Sequence, residues 1–393
     1  MIQRKIENAE EYTVGATSKR RNDMSSRRML SVLFLAIVII GALLIFSIRN
    51  EPSAVEAQGP THAMPVGTPV TIKPPLGLPP VPIPADNPPT AETIALGRQL
   101  YYDTALSVDG TVSCATCHDP NAGFADPKPV SQGVQKKTGT RNSPTVFNSA
   151  YFHVQFWDGR APSLEKQAEG PVQNPVEMAN TLANVEKKLN ADPNYREQFA
   201  KAFGPGAITY EMVEKSIASF ERTVISANSP FDRWRYGHDE KAVSASVKRG
   251  FLVFTAKNKG NCAACHLVGE KDALFTDNKF HNIGIGVDLG EIKDPGLFAV
   301  TQKESDRGLF KTPSLRNVAL TAPYMHDGSL KNLKEVIDLY IGAGNSNPNL
   351  DKEIHVLDFL TGQERTDLQA FLESLTGEMP PNSGPPAKEQ ARK

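Results

Sequence analysis

The residues most able to do chemistry are four cysteines, which occur in two copies of the pattern Cys-x-x-Cys-His. The cysteines and the histidines that follow them are Cys114, Cys117, His118, Cys262, Cys265 and His266. Two thiols at this spacing can add to the vinyl groups of a haem while the adjacent histidine binds its iron. Cysteine pairs could also form a four-cysteine zinc site or, in an exported chain, disulfides. Neither alternative accounts for the histidine after each pair, so the sequence predicts two covalently attached haem c groups.

The overall composition is globular and nearly neutral. Of the 393 residues, 39% are hydrophobic and 22% are charged, and the formal net charge is -1. This balance excludes a nucleic-acid-binding protein that works through bulk positive charge. No nucleic-acid partner is therefore expected.

An apolar segment near the N-terminus predicts export. Residues 30–48 contain no charged side chain and, as a helix, would be long enough to cross a bilayer core of roughly 30 Å. Basic residues cluster in the preceding leader, residues 1–29, which places the leader in the cytoplasm and the rest of the chain in the periplasm. A cleaved signal peptide is the alternative, with a small-residue site near residues 55–57. Because the apolar run is long for a signal peptide, we expect an uncleaved inner-membrane anchor.

The remaining chain divides by composition. Residues 49–90 are a Pro-rich linker, and because such sequence favours extended polyproline II we expect a stalk. Residues 91–240 and 241–376 are expected to be an N-terminal and a C-terminal haem domain, each with one haem motif. Residues 377–393 are expected to be a disordered tail.

Helical periodicity dominates both expected domains, and no strong strand pattern is present. Apolar stripes with helical spacing occur at Met212, Val213, Ile217, Phe220 and Val224, at Val243, Val247, Phe251 and Phe254, and at Leu368, Phe371, Leu372 and Leu375. Long connections rich in Gly, Pro and Asn separate them, and such loops commonly surround a ligand. The sequence therefore predicts a mainly α protein with two cytochrome c-like haem domains and long loops.

Further motifs give the chain a resemblance to a known family. They cover residues 92–376 and include LGRQLYYD, SCATCHDP, TGTRNSPTVFN, FWDGRAPSLEKQAEGPVQNPVEM, FDRWRYG, GNCAACH, FKTPSLRNVALTAPYMHDGSL and DLQAFLESLTG. On these motifs the chain resembles the bacterial dihaem cytochrome c peroxidases and their MauG relatives. The resemblance implies that the N-terminal haem reacts with hydrogen peroxide. It also implies that the C-terminal haem relays electrons from a small cytochrome c or a copper protein of the cupredoxin type.

At the first haem, the resemblance implies that His118 is the proximal ligand. It also implies a distal pocket with Pro171, with Gln167 to position peroxide and with Glu177 as the acid/base. A carboxyl group in an apolar pocket is held partly protonated, which suits proton delivery, although most glutamates are simply solvent-exposed. Many relatives close this haem at rest with a histidine, and the matching position here is Val134, which cannot bind iron. We therefore expect an open peroxide haem that needs no prior reduction.

At the second haem, His266 is the expected proximal ligand, and the sixth ligand could be Met325, His326 or Tyr340. The helix predicted in LKNLKEVIDLYIG places Tyr340 on its apolar face. The resemblance places Tyr340 where the peroxidases have a ligand methionine and MauG has a ligand tyrosine. A thioether suits electron transfer, whereas a phenolate stabilises ferric and higher states. Tyr340 is the expected ligand and Met325 the second choice, while a hydrogen-bonded core tyrosine is the structural alternative.

The resemblance also implies roles for residues between the haems. Trp157 in FWDGR matches an indole between the two haems and is expected to relay electrons as well as to pack. Asn142 and the backbone carbonyls of Thr321 and Pro323 match a calcium site. Neutral oxygens of this kind suit a hard cation.

Three functions are compatible with these residues: a peroxidase, a MauG-like oxidase of a protein substrate, and a dihaem electron carrier without turnover. A carrier has no need of the distal acid/base Glu177. Val134 and Tyr340 favour the MauG-like function over a standard peroxidase. Gly260 argues against it, because MauG has a surface tryptophan at that position and the other tryptophan here, Trp234, is expected only to pack. We expect a peroxide-dependent oxidoreductase.

Overall fold

The computed structural model describes residues 63–386, which are mainly helical. The α-helices are α1 Ala91–Tyr102, α2 Cys114–Cys117, α3 Leu164–Gln173, α4 Leu182–Ala191, α5 Pro193–Phe203, α6 Tyr210–Glu221, α7 Pro230–Arg235, α8 Ala245–Thr255, α9 Phe298–Thr301, α10 Leu333–Ile341 and α11 Gly362–Glu373. Single 3-10 turns occur at Thr104–Leu106, Pro120–Ala122, Val134–Lys136, Ser149–Tyr151, Cys262–Ala264, Glu304–Asp306 and Val318–Leu320.

Two small antiparallel sheets interrupt the helices in the second half of the chain. Their strands are β1 Phe280–His281, β2 Val287–Asp288, β3 Glu291–Ile292 and β4 Phe310–Lys311. Strand β1 pairs with β4, and β2 pairs with β3. Strands of two residues leave too little periodicity to be predicted from the sequence.

No helix within residues 63–386 has the length and apolar character that crossing a membrane requires. The predicted anchor, residues 30–48, and the leader before it lie outside the described residues. The anchor therefore remains a prediction.

The apolar stripes build two main cores. The first core joins α1 with α3 to α6, and the second joins α7, α8, α10 and α11. The predicted stripes lie in α6, α8 and α11, although Val224, Val243 and Leu375 fall outside the helices that their periodicity suggested. Trp234 packs edge-on against Phe231 and Phe251 in the second core, as its predicted packing role requires.

Each haem motif follows a helix that crosses another helix through a glycine. A Cβ atom built on Gly97 in α1 would overlap the carbonyl oxygen of Ser216 in α6. Likewise, a Cβ on Gly250 in α8 would overlap the carbonyl oxygen of Asp367 in α11. In each pair, glycine lets the backbones of the two helices touch. The same kind of helix crossing therefore positions each haem motif.

The second half of the Pro-rich linker differs from the predicted stalk. Residues 63–90 pack on the folded body, and Leu78 is buried against Tyr151. The carbonyl oxygen of Gly77 accepts a hydrogen bond from the buried Arg316 guanidinium at 2.5 Å. Arg316 is also paired with Asp232 at 2.8 Å. A proline-rich segment has few N–H groups with which to build regular structure, so its carbonyl oxygens need other donors. Here buried side chains donate hydrogen bonds to them.

The predicted disordered tail also differs from the structure as far as residue 386. The Tyr102 hydroxyl donates to the carbonyl of Ser383 at 2.6 Å, and Arg98 Nε donates to the carbonyl of Gly384 at 2.6 Å. Both donors lie in α1. The C-terminal segment therefore packs on the helix that precedes the first haem motif.

The glycine crossing makes a prediction about stability. Gly97→Ala should lower the free energy of unfolding by about 1–3 kcal/mol, because overpacking outweighs the gain of roughly 1 kcal/mol that alanine brings to a helix. Gly206→Ala is the matched control, since nothing lies within 4 Å of its Cβ position. Urea denaturation of the haem-loaded protein measures both, and equal stability of the two variants would contradict the crossing.

Candidate active site

The first cavity, of about 170 Å³, contains the residues predicted to surround the N-terminal haem. It is lined by Cys114, Cys117, His118, Gln167, Pro171 and Glu177. Helix α2 carries both cysteines, and its C-cap residue is His118. The structure therefore brings the predicted attachment, proximal and distal residues together around one space.

The histidine of this cavity has an unused ring nitrogen. The Nδ1 atom of His118 is buried and has no hydrogen-bond partner. Burial lowers the pKa of His118, which favours the neutral ring. A neutral imidazole keeps a ring nitrogen free to bind a metal, as a proximal haem ligand must.

The distal residues are placed by the end of α3. Gln167 and Pro171 are four residues apart in α3 and so lie on one helix face, toward the cavity. Glu177 follows the helix, and Asn174 Nδ2 donates to Glu177 Oε1 at 2.5 Å. Burial raises the pKa of Glu177, while Asn174 and Arg160 oppose that rise. Glu177 is thus a partly buried carboxyl group in the cavity and not an exposed loop residue.

The segment that contains Val134 supports Glu177 through its backbone. The Val134 N–H donates to the carbonyl oxygen of Glu177 at 2.8 Å. A Cβ atom on Gly133 would overlap that same carbonyl, so the close approach requires glycine. The Val134 side chain is only 1% exposed and packs in the first core. Among the described residues of VSQGV, no side chain can bind a haem iron as histidine would.

Charged residues that the sequence analysis missed also line the first cavity. The Arg160 guanidinium stacks over Phe156 at 3.5 Å from the ring centroid. Glu221, in the last turn of α6, lines the cavity as well, and burial raises its pKa to about 8. Arg160 lies inside the FWDGR motif, so its position was a usable signal, whereas nothing in the sequence around Glu221 indicated the cavity.

Arg141 connects the first cavity to the second half of the chain. It lines the cavity and makes two hydrogen bonds to Asp294, at 2.7 Å and 2.8 Å. It also donates to Asp158 at 2.6 Å. A guanidinium held in this way is rigid, because its planar fork matches both carboxylates.

The second cavity, of about 250 Å³, is lined by Cys262, Cys265, His266, Met325, His326, Tyr340, Thr321, Pro323 and Asn142. The Nδ1 atom of His266 is 2.8 Å from the carbonyl oxygen of Phe275. When Nδ1 carries the proton and donates it there, Nε2 is left to bind a metal. This arrangement fits a proximal haem ligand.

The cysteines do not match the zinc or disulfide alternatives. All four are free thiols, and they are divided between the two cavities. Within residues 63–386, the one cluster of potential metal ligands contains a single cysteine, Cys265 with Asp277 and His281. Burial raises the pKa of Cys117 to about 11 and of Cys262 to about 12. Two cysteine pairs in separate cavities fit two haem attachments better than one metal site.

All three candidates for the sixth ligand of the second haem line the second cavity. The Tyr340 hydroxyl has no hydrogen-bond partner among the described residues, and burial raises the pKa of Tyr340 well above its usual value. A core tyrosine would normally bond its hydroxyl. His326 instead stacks on Phe310, with ring centroids 3.6 Å apart, and burial lowers its pKa to about 4. Tyr340 remains the predicted ligand, with Met325 as the alternative.

A wall that contains Trp157 and Asn142 separates the two cavities, since both residues line both spaces. Trp157 Nε1 donates to the carbonyl oxygen of Asn142 at 2.9 Å. The Trp157 carbonyl in turn accepts from the N–H of Lys311 at 2.8 Å. Two hydrogen bonds therefore hold Trp157, the predicted electron relay, at the boundary between the two cavities.

The other predicted residues lie at the second cavity. Thr321 and Pro323 line it together with Asn142, and the calcium site stays a prediction. Gly260 lines it too, with its N–H donated to the carbonyl of Val253 at 2.9 Å.

Comparisons with known proteins agree with this arrangement. The family described as "Di-haem cytochrome c peroxidase" matches residues 91–240, and the family described as "Cytochrome c" matches residues 247–376. "Methylamine utilization protein MauG" of Methylorubrum extorquens is 44% identical over 301 residues, covering 76% of this chain and 82% of that protein. "Cytochrome c peroxidase Ccp" of Escherichia coli is 40% identical, covering 75% of this chain and 60% of that longer protein.

A solved structure shows the same fold. It is described as a "MauG-like protein associated with microbial copper homeostasis" and is 34% identical in sequence. Its TM-score is 0.71, and the match covers 77% of this chain and 95% of that one.

The ligand assignment can be tested by substitution. Tyr340→Phe should change the low-spin ferric spectrum of the second haem, because it removes the oxygen that binds iron. Electronic and electron paramagnetic resonance spectra of the oxidised protein measure this. Tyr324→Phe is the matched control, since Tyr324 lines the same cavity but donates its hydroxyl to Val318 at 2.9 Å. A spectrum that changes only in Met325→Leu would show that methionine is the ligand.

Proposed function

Because this chain belongs to the di-haem cytochrome c peroxidase and MauG family, we propose that it reduces hydrogen peroxide to water with electrons from a small redox protein. Members of this family carry two covalently bound haem c groups and are peroxidase-type oxidoreductases. The observation that carries the proposal is Glu177, a partly buried carboxyl group placed with Gln167 in a cavity whose one lining histidine, among residues 63–386, is the proximal candidate His118.

The cofactor supplies the redox chemistry of peroxide cleavage, and the chain supplies binding and proton transfer. His118 and the thiols of Cys114 and Cys117 would hold the first haem. Gln167 positions peroxide from the face of α3. Glu177 takes a proton from one peroxide oxygen and returns it to the other. The second oxygen departs as water. Asn174 fixes the Glu177 carboxyl through its hydrogen bond of 2.5 Å.

The overall reaction consumes one peroxide, two electrons and two protons and yields two waters. A small cytochrome c or cupredoxin delivers one electron at a time, so the protein must accept two deliveries for each peroxide. Trp157 supports this route, because it is the indole in the wall between the cavities. His266 would hold the second haem, which would supply the entry point for these electrons.

A MauG-like reaction is the second candidate function. It would use the same oxidising equivalents on a side chain of a protein substrate. The Tyr340 hydroxyl without a protein partner favours it, because an anionic oxygen ligand stabilises highly oxidised iron. A pure electron carrier explains neither Glu177 nor Gln167.

We further propose that the protein acts in the periplasm, anchored to the inner membrane by residues 30–48. The uncharged run and the basic leader before it support this location. A calcium ion bound by Asn142, Thr321 and Pro323 is part of the same proposal.

The acid/base role of Glu177 has a direct test. Glu177→Gln should slow peroxide-driven oxidation of the haem roughly 100-fold or more, without loss of haem, because the amide cannot accept the proton. The wild-type rate should fall as the pH drops through the raised pKa of Glu177, and the variant should lack this fall. Glu169→Gln is the control, since Glu169 lies in α3, the helix that precedes Glu177, but pairs with Lys166. Equal rates in both variants would remove Glu177 from the mechanism.

The open site predicts reactivity without prior reduction. In a stopped-flow experiment, the fully ferric protein should react with one equivalent of peroxide on mixing. The reason is that Val134 cannot bind the haem iron, so peroxide has no such ligand to displace. Val134→His should slow this reaction. Reduction of the second haem in that variant should restore it. An unreactive wild-type ferric protein would show that another group closes the cavity.

A further inference from the structure

Glu221 is a buried acidic side chain at the first cavity that the proposed mechanism does not use. It is the last residue of α6, is only 6% exposed and lines the cavity. Ile217, one helical turn earlier, lines the same cavity, so this face of α6 is the one turned toward it. A carboxyl group is therefore built into the wall of the first cavity by a long helix and not by a loop.

The Glu221 carboxyl group has no partner in the protein. Within residues 63–386 it forms no hydrogen bond and no ion pair. The next residue, Arg222, is instead engaged by Glu165, with 2.7 Å between Arg222 Nη1 and Glu165 Oε1. Glu165 is held in turn by Asn87, whose Nδ2 donates to Glu165 Oε1 at 2.8 Å. Arg222 is therefore committed to another carboxylate, and Glu221 faces the cavity without a counter-charge of its own.

The surroundings of Glu221 disfavour its charged form. Burial is the main cause that raises its pKa to about 8, and Glu165 adds to the rise while Arg222 opposes it. The other titratable groups that interact with it are the Cys114 thiol of α2 and the Tyr101 hydroxyl of α1. Burial comes first among the causes that raise the pKa of each, and the nearby Glu221 charge contributes to both. At neutral pH Glu221 is therefore mainly a carboxylic acid, close to a thiol that is predicted to attach the first haem.

A buried acid in this position must respond to the charge of the cofactor. At an effective dielectric constant of about 20, two unit charges within about 10 Å change each other's affinity for a proton or an electron roughly tenfold. Reduction adds one negative charge to a haem site and so raises the proton affinity of a nearby carboxylate. By linkage, the bound proton raises the electron affinity of the site to the same extent.

We propose that Glu221 binds one proton when the first haem gains an electron and releases that proton when the haem loses it. The ferric site with a Glu221 carboxylate takes one electron from the donor protein and one proton from solvent, which yields the ferrous site with a Glu221 carboxylic acid. The exchange keeps the net charge of a buried site constant. Glu221 acts through its charge and is not a catalytic residue. The proposal rests on the first haem of the proposed function, but not on peroxide chemistry.

The reduction potential of the first haem at different pH values measures this exchange. In the haem-loaded wild-type protein, the ratio of reduced to oxidised first haem at a fixed potential should fall about three- to tenfold for each pH unit around pH 8. Tenfold corresponds to 59 mV for one electron. The ratio falls because a rising pH removes the proton from the oxidised site first and so stabilises it.

Substitutions at Glu221 separate it from other groups. Glu221→Gln should abolish this pH dependence, because an amide takes up no proton, and Glu221→Asp should keep most of it. Glu211→Gln is the matched control, since Glu211 is in the same helix but pairs with Lys215 at 2.9 Å. Spectroelectrochemical titration of the haem-loaded variants resolves both haems. A Glu221→Gln variant with the wild-type pH dependence would overturn the proposal.

Infrared difference spectra detect the proton itself. On reduction, the wild-type protein should gain a C=O stretching band of a carboxylic acid, and this band should be missing in Glu221→Gln but present in Glu177→Gln. A wild-type spectrum without the band, or a band lost only in Glu177→Gln, would contradict the role of Glu221, and the first of these results needs no variant to fold. Both measurements are made without peroxide. Their failure therefore leaves the peroxidase proposal standing, and the Glu177 rate test can fail without affecting them.

Discussion

The hydrogen bond from Trp157 to the Asn142 carbonyl is the interaction on which the two-site arrangement depends. It fixes an indole in a wall that both cavities share. If the wall were built from mobile loop residues, the distance and contact between the two cofactors would vary. Instead, Asn142 is itself held by a hydrogen bond of 2.8 Å from its N–H to the His326 carbonyl, and Trp157 by the Lys311 N–H. The wall thus joins residues from both halves of the chain into one rigid element.

The two cavities share an electrostatic feature, although their chemistry differs. Each is lined by buried titratable groups whose charge is disfavoured by desolvation: Glu177 and Glu221 in the first, and His326 in the second. In the first cavity the raised pKa makes the Glu177 carboxylate a stronger base toward the peroxide proton. In the second cavity burial keeps the His326 imidazole neutral. The same physical cause therefore strengthens a base at one site and removes a positive charge at the other.

Local spacing made much of the site predictable, and long-range packing made the rest unpredictable. The haem motifs and the four-residue interval from Gln167 to Pro171 are local, so the sequence alone places them. The expected stalk failed because Gly77 meets Arg316, which is 239 residues away, and no local pattern records such a contact. Glu221 was missed for the same reason, since only the packing of α6 turns it toward the first cavity.

The fate of the oxidising equivalents depends on whether an oxidisable path leads from the second cavity to the surface. Gly260 lines that cavity and has no side chain to oxidise. The other tryptophan, Trp234, lies behind Phe231 and Phe251, and phenylalanine rings are far harder to oxidise than an indole. The Lys248 ammonium, 5.7 Å from the Trp234 ring, further disfavours a positive charge there. Within residues 63–386, Trp157 is therefore the one indole that lines either cavity, and this supports the proposed peroxidase over the proposed oxidation of a protein substrate.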